Sequence, residues 1–170
     1  MITVKIEAPE KLFDLESLEA KLLGVVDKIN DSSHKDFEAT VKTFFEKPEF
    51  KVRRAGKEEG VISASVSTDN ENYRRLNFGT ERHLVGWRHL IRWKGYTGYM
   101  SFYPGYISKT QPGVLSSREG RYVGTRQRAK GPWWVEGIEA REFDRFIAED
   151  HEQIFFEDVN KAFDETLAKK

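Results

Sequence analysis

Four histidines, His34, His83, His89 and His151, are the side chains that can serve as general base or metal ligand near neutral pH. None stands in an H-E-x-x-H or H-x-x-x-H arrangement, and none is flanked by carboxylates at ligand spacing. His83 and His89 fall in a basic segment poor in carboxylates, which disfavours a hydrolytic metal site. Ser116 and Ser117 lie outside any G-x-S-x-G elbow. The glycines at 95–98 and 120–124 lack the strand, loop and helix with a lysine that a phosphate cradle needs. The chain has no cysteine, which excludes disulfides, thiolate metal sites and a cysteine nucleophile, and agrees with assembly in a reducing cytoplasm. The expectation is therefore a non-enzymatic protein with no catalytic residue, no metal and no cofactor.

The basic, aromatic stretch from Glu81 to Gly131 has a stronger claim to function. It interleaves Arg82, Arg88, Arg121, Arg126 and Arg128 with Trp87, Trp93, Tyr103, Tyr106 and Tyr122. Tyrosine, tryptophan and arginine are the residues that dominate protein interfaces. The same mixture also grips a phosphate backbone while stacking on bases, so a nucleic-acid-binding module is the alternative reading. A third reading makes the aromatics the core of a small β subdomain. The charge is unevenly placed although the net charge is zero. Residues 1–80 carry 13 Lys and Arg against 15 Asp and Glu, residues 81–131 carry 10 against 2, and residues 132–170 carry 5 against 11. Separated blocks of +8 and −6 can register contacts within one chain or between copies of it.

The elements that must position this stretch follow from periodicity. A single domain over 1–170 is expected, of α+β class: a small antiparallel sheet packed by a long N-terminal helix and a C-terminal helix, with the basic aromatic stretch as a long insertion. Ile2 to Ile6 alternates as a short strand, and no apolar run approaches a membrane span or a secretory signal. Leu15, Leu18, Leu22, Val25, Val26 and Ile29 repeat at three and four residues as one helix stripe, resumed by Phe37, Val41, Phe44 and Phe45 up to Pro48. Asp31-Ser32-Ser33 is where that helix could break. Phe50 to Arg54 is read as a strand, with 56–60 as a polar connection. Val61 to Thr68 and Tyr73 to Thr80 both alternate and are read as a hairpin, Asp69 to Asn72 forming its turn and Gly79 its end. Together these give a three-stranded meander with Val52, Ile62, Ala64, Val66, Leu76 and Phe78 on the face beneath the helix. Within the insertion, Tyr96 to Ile107 and Arg121 to Arg126 are strand candidates and Gly113 to Gly120 reads as a mobile loop. Trp133 to Ile138 is read as a returning strand that joins the meander. Arg141 to Leu167 is the clearest helix, with Phe156 off its apolar stripe and so a candidate for contact with another subunit.

Two short patterns flank the insertion. Tyr73 followed by Phe78-Gly79-Thr80, and Ala140-Arg141-Glu142-Phe143 at the start of the last helix, resemble the tail-completion, or head-to-tail joining (neck), proteins of long-tailed bacteriophages. The order of elements is similar over most of the chain, and the family's proline stands as Glu142 here. The resemblance implies a structural virion protein in the neck region of the tail, assembled in the host cytoplasm. It implies a homo-oligomeric ring, a hexamer, between the head connector and the tail terminator or tail tube, with DNA passing through the lumen and no membrane contact. Tyr73, Phe78, Gly79, Thr80, Ala140, Arg141 and Phe143 would then be structural motif residues. The candidate interface would comprise Arg82, Trp87, Arg88, Trp93, Tyr103, Tyr106, Arg121, Arg126, Arg128 and Phe156.

Overall fold

The computed structural model describes residues 2–5, 14–85, 100–102, 105–129 and 133–167. Among them the chain is α+β: a three-stranded antiparallel sheet packed by a long N-terminal helix and a C-terminal helix, with a short helix between. The first strand, β1 (Ile2–Lys5), is followed by α1 (Leu15–Thr40), β2 (Lys51–Glu58) and β3 (Val61–Ser67). Helix α2 spans Glu71–Phe78 and helix α3 spans Phe143–Leu167.

Helix α1 runs unbroken through Asp31-Ser32-Ser33. Asp14 caps its first turn by accepting from Ser17 N at 3.2 Å. At its other end the fully buried Thr40 turns its hydroxyl onto Phe37 O at 2.7 Å, and the helix stops there, short of Pro48. Leu18, Leu22, Val26 and Ile29 lie on one stripe and are buried; the first three pack on Ile62 and Ala64 of β3 and on Ala162 of α3. Phe155, Val159 and Phe163 of α3 close the cluster. A second cluster sits at the other end of the two helices, where Val41, Tyr73, Phe143 and Ile147 meet Phe37, Phe44, Phe50, Leu76 and Leu115. The α3 stripe thus serves both cores, while Ile154 and Leu167 of the same helix are exposed.

The sheet order is β1-β3-β2, so the central strand is the expected one and its neighbours are not both the expected ones. Tyr73 to Thr80 is no strand. Asn70 accepts from Tyr73 N at 2.9 Å as an N-cap, and Asp69-Asn70 starts α2 instead of turning a hairpin. The third strand is β1, with Ile2 opposite Ala64 and Lys5 opposite Val61. Strand β2 also extends through the supposed connection to Glu58. It does so by a bulge that places Arg54 and Ala55 together opposite Ala64, which breaks the alternation. Helix α1 satisfies the bulge: Ala55 N donates to Asp27 Oδ1 at 2.7 Å, Asn30 Nδ2 donates to Arg53 O at 3.1 Å, and Arg54 reaches both oxygens of Asp31 at 2.8 Å. The hairpin proper turns at Glu59 and Gly60, both at positive φ, the backbone that matches strand twist in a two-residue turn.

Tyr73 is the aromatic centre of the second cluster, with ring centroids 5.2 Å from Phe50, 5.7 Å from Phe143 and 6.3 Å from Phe37. Burial drives its phenol well above the ordinary value of 10.0, while the neighbouring Thr40 hydroxyl works in the opposite sense. The Thr40 hydroxyl already donates to Phe37 O, and the buried Tyr73 hydroxyl has no hydrogen bond of good geometry. Tyr73→Ala should therefore cost about 3–5 kcal/mol, whereas Tyr73→Phe should stay within about 1 kcal/mol because the hydroxyl forfeits little. The raised ionisation adds a pH signature. Its stabilising contribution is complete below pH 10.0 and is lost as pH rises beyond that, where the unfolded chain ionises first. Urea unfolding across alkaline pH should show a shallower decline for Tyr73→Phe than for the natural protein.

Candidate interaction site

The insertion leaves the scaffold at Gly79 and returns at Ile138, and the two crossings touch. Thr80 N donates to Ile138 O at 2.8 Å and Ile138 N donates to Thr80 Oγ1 at 3.0 Å. One step further in, Arg141 N donates to Leu76 O at 2.9 Å and Glu142 N to Asn77 O at 3.0 Å. The last carbonyls of α2, which have no partner inside that helix, are thus satisfied by the approach to α3. In return the buried Asn77 accepts from Asp144 N at 3.3 Å, capping α3 by its side chain. Gly79 sits at φ 76 and ψ 178, a region essentially restricted to glycine, and a Cβ there would stand 2.6 Å from Ile138 O. A Cβ on Gly137 would overlap the carbonyl oxygen of Thr80. Thus Tyr73, Gly79, Thr80, Ala140, Arg141 and Phe143, far apart in sequence, come together at one seam. Phe78 belongs to the same stretch, but its ring is 67% exposed, so it lies outside the core face expected of it.

Beyond the seam, the described residues of the insertion form a ribbon of nested antiparallel pairs. Strand β4 (His83–Val85) pairs with β9 (Trp133–Val135), β5 (Met100–Phe102) with β8 (Gln127–Ala129), and β6 (Gly105–Ile107) with β7 (Arg121–Val123). The returning strand therefore joins the ribbon and not the three-stranded sheet. The tip at 108–120 is pinned, contrary to the mobile loop expected from its composition. Thr43 N donates to Ser117 Oγ at 3.2 Å, Thr43 Oγ1 to Arg118 O at 2.8 Å, and Lys109 Nζ to Thr43 O at 2.5 Å. Leu115 packs into the second core cluster. A short polar loop looks mobile in sequence when its partners, here the end of α1, lie more than sixty residues away.

Of the expected interface residues, Arg121 and Arg126 are exposed without an ion pair among the described residues, and the neighbouring Tyr122 is exposed too. Arg82 is exposed and bridges Glu136 at 3.2 Å across the base of the ribbon. Phe156 is 55% exposed on α3. Tyr106 and Arg128 lie in β6 and β8, while Trp87, Arg88, Trp93 and Tyr103 fall outside the described residues. The acidic α3 is partly engaged within the scaffold, since Asp158 pairs with Lys28 at 2.6 Å and Glu165 with Lys21 at 3.2 Å. Asp150, Glu152 and Asp164 are exposed without an ion pair among the described residues.

Two grooves were not legible from the sequence. One, of about 570 Å³, lies between α1, β3 and α3 and is lined by Phe37, Val66, Ile147, His151 and Phe156 among others. His151 crosses beside it to Asp36 Oδ2 at 2.7 Å and ties α3 to α1. The other, of about 450 Å³, is walled by Phe44, Phe45, Leu76, Lys109, Ile138 and Arg141. Phe45, read from periodicity as part of the helix stripe, is 96% exposed because α1 ends at Thr40 and the chain turns before it. No group of three His, Cys, Asp or Glu among the described residues could hold a metal ion, and no described helix is long and apolar enough to cross a membrane.

No family model, curated protein or solved structure matches the chain.

The seam makes a firm prediction about its glycines. Gly79→Ala and Gly137→Ala should each lower stability by about 3 kcal/mol or more, through forbidden backbone at the first and backbone overlap at the second. Gly24→Ala, on a helix face with open space around it, should be neutral or slightly stabilising in the same urea titrations.

Proposed function

We propose that the protein is a structural joining subunit of the neck of a long-tailed bacteriophage, assembling as a ring between head connector and tail tube through protein–protein contacts. The observation that carries this reading is the seam. The two sequence patterns that resemble the family, separated by the whole insertion, pack on one another where the ribbon leaves the scaffold. Tyr73 lies ring to ring with Phe143, 5.7 Å apart, and Gly79 lies against Ile138 and Ala140. A pattern that survives as a spatial contact is better support than two unrelated matches in sequence.

The surface supports the same reading. A ring of identical copies needs two different complementary faces on each subunit. Exposed Arg121 and Arg126 on the ribbon and exposed Asp150, Glu152 and Asp164 on α3 supply opposite signs on separate elements. The chain departs from the family pattern at Glu142, which sits at φ 52 and donates its N–H to Asn77 O. Proline could adopt neither feature, so the start of α3 is held by a hydrogen bond in place of a fixed ring.

Native mass spectrometry of the purified protein, alone and with connector or tail-tube proteins, should reveal a closed oligomer. The double variant Arg121→Glu, Arg126→Glu should weaken that oligomer by roughly tenfold or more at low salt, with the difference shrinking as salt is raised. An unchanged oligomer would detach the basic ribbon from assembly. Steep salt-dependent binding to short DNA duplexes without self-association would move the assignment to a nucleic-acid-binding module.

A further inference from the structure

The 450 Å³ groove, which Glu46 also lines, holds a charge that the scaffold answers only in part. Arg141 lines it with a side chain only 9% exposed, and its Nε has no hydrogen-bond partner among the described residues. The nearest carboxylate, Glu139, stands 3.9 Å from Nη1 and is 78% exposed, too far and too wet to compensate a buried guanidinium. Around this cation stand Phe44, Phe45, Leu76 and Ile138, with the Lys109 ammonium 5.9 Å from the Phe44 ring centre. Nearly complete exposure of Phe45 leaves an aromatic wall with nothing to cover it. An apolar groove with a desolvated guanidinium is complementary to a carboxylate carried beside an aromatic or aliphatic side chain.

We propose that the groove receives α3 of a second copy of this chain, with Glu152 meeting Arg141 and Phe156 filling the space between Phe45 and Ile138. Glu152 and Phe156 are four residues apart and so project from one helix face, and both are exposed. No described cation pairs with Glu152. Groove and donor face are distinct surfaces: Phe156 lies about 20 Å along α3 from the groove end of that helix. Two copies therefore join head to tail, and each leaves one groove and one helix face open for the next. The contact rests on the self-association in the proposed function and names the surfaces that make it.

The absence of cysteine permits a direct test on the full-length chain. Phe45→Cys and Phe156→Cys proteins, mixed in equal amounts at high concentration, should be joined by a short bis-maleimide mainly as a mixed pair. Glu152→Lys on the Phe156→Cys protein, an exposed change that leaves the fold intact, should reduce the mixed pair about tenfold. Arg141→Met on the Phe45→Cys protein should do the same, with thermal unfolding run alongside to verify folding. A ring that forms in native mass spectrometry without the mixed pair overturns this contact and leaves the joining function standing. A mixture that stays monomeric and unlinked overturns the contact and the self-assembly together. Like-with-like linking through Phe45→Cys would indicate a symmetric pair and reject the head-to-tail arrangement.

Discussion

Backbone meeting backbone at the seam is the constraint on which the rest of the structure depends. Arg141 and Glu142 donate to the carbonyls of Leu76 and Asn77, and Thr80 and Ile138 close a second pair of bonds outside them. Such an approach leaves no room for side chains, which is why Gly79 and Gly137 face the opposing strand and why neither tolerates a Cβ. The seam sets the direction of α3, whose first turn is capped by Asn77, and so decides that Phe143 and Ile147 enter the second cluster while Ala162 enters the first. It is also where the insertion leaves and rejoins the scaffold, which the ribbon meets a second time at its tip, where Thr43 and the second core cluster hold residues 108–120.

Long amphipathic helices were the most legible part of the sequence because their period repeats many times. Leu18, Leu22, Val26 and Ile29 needed no tertiary information to be placed on one stripe, and the helix–sheet partnership with Ile62 and Ala64 followed. The stretch from Tyr73 to Thr80 failed for a definite reason. Over eight residues, Leu76 and Phe78 alternate with Arg75 and Asn77 as in a strand, while Tyr73, Leu76 and Asn77 recur at three and four as in a helix. The capping bond from Asn70 and the solvent exposure of Phe78 decide for the helix. The third strand, β1, reads as a strand from its alternation, but nothing in its sequence assigns it to the sheet. Parallel or antiparallel partnership across more than fifty residues is a property of topology, and no local pattern encodes it.

The bulge in β2 marks a different limit. Its extra residue reverses the inward and outward faces beyond Arg54, so 56–60 reads as a polar connection. What makes it a strand is the edge of α1, where Asp27, Asn30 and Asp31 take up the backbone and guanidinium groups that the bulge frees. These three polar side chains sit one turn or less apart, on the border between the buried stripe and solvent, and in sequence they look like ordinary surface. Their role emerges only when the strand lies beside them.

Some of the charge belongs to the fold and some of it is left facing solvent. Lys28 and Lys21 of α1 pair with Asp158 and Glu165 of α3, so part of the acidic block identified from composition serves to fasten two helices of one chain. These are partly exposed pairs and contribute modestly to stability. Composition alone does not distinguish them from Asp150, Glu152 and Asp164, which face solvent on the same helix. On the basic side the division runs the other way. Arg141, a motif residue in sequence, is buried with its Nε unanswered, whereas Arg82, expected at the interface, is held at the ribbon base by Glu136. A mostly buried guanidinium whose Nε is unpaired and whose one ion-pair partner is distant and exposed costs the isolated chain, and a carboxylate that arrives with the water already excluded offsets that cost. The selectivity of such a contact lies in that difference, because an apolar segment lacking the carboxylate would fill the groove and still leave the guanidinium unpaired.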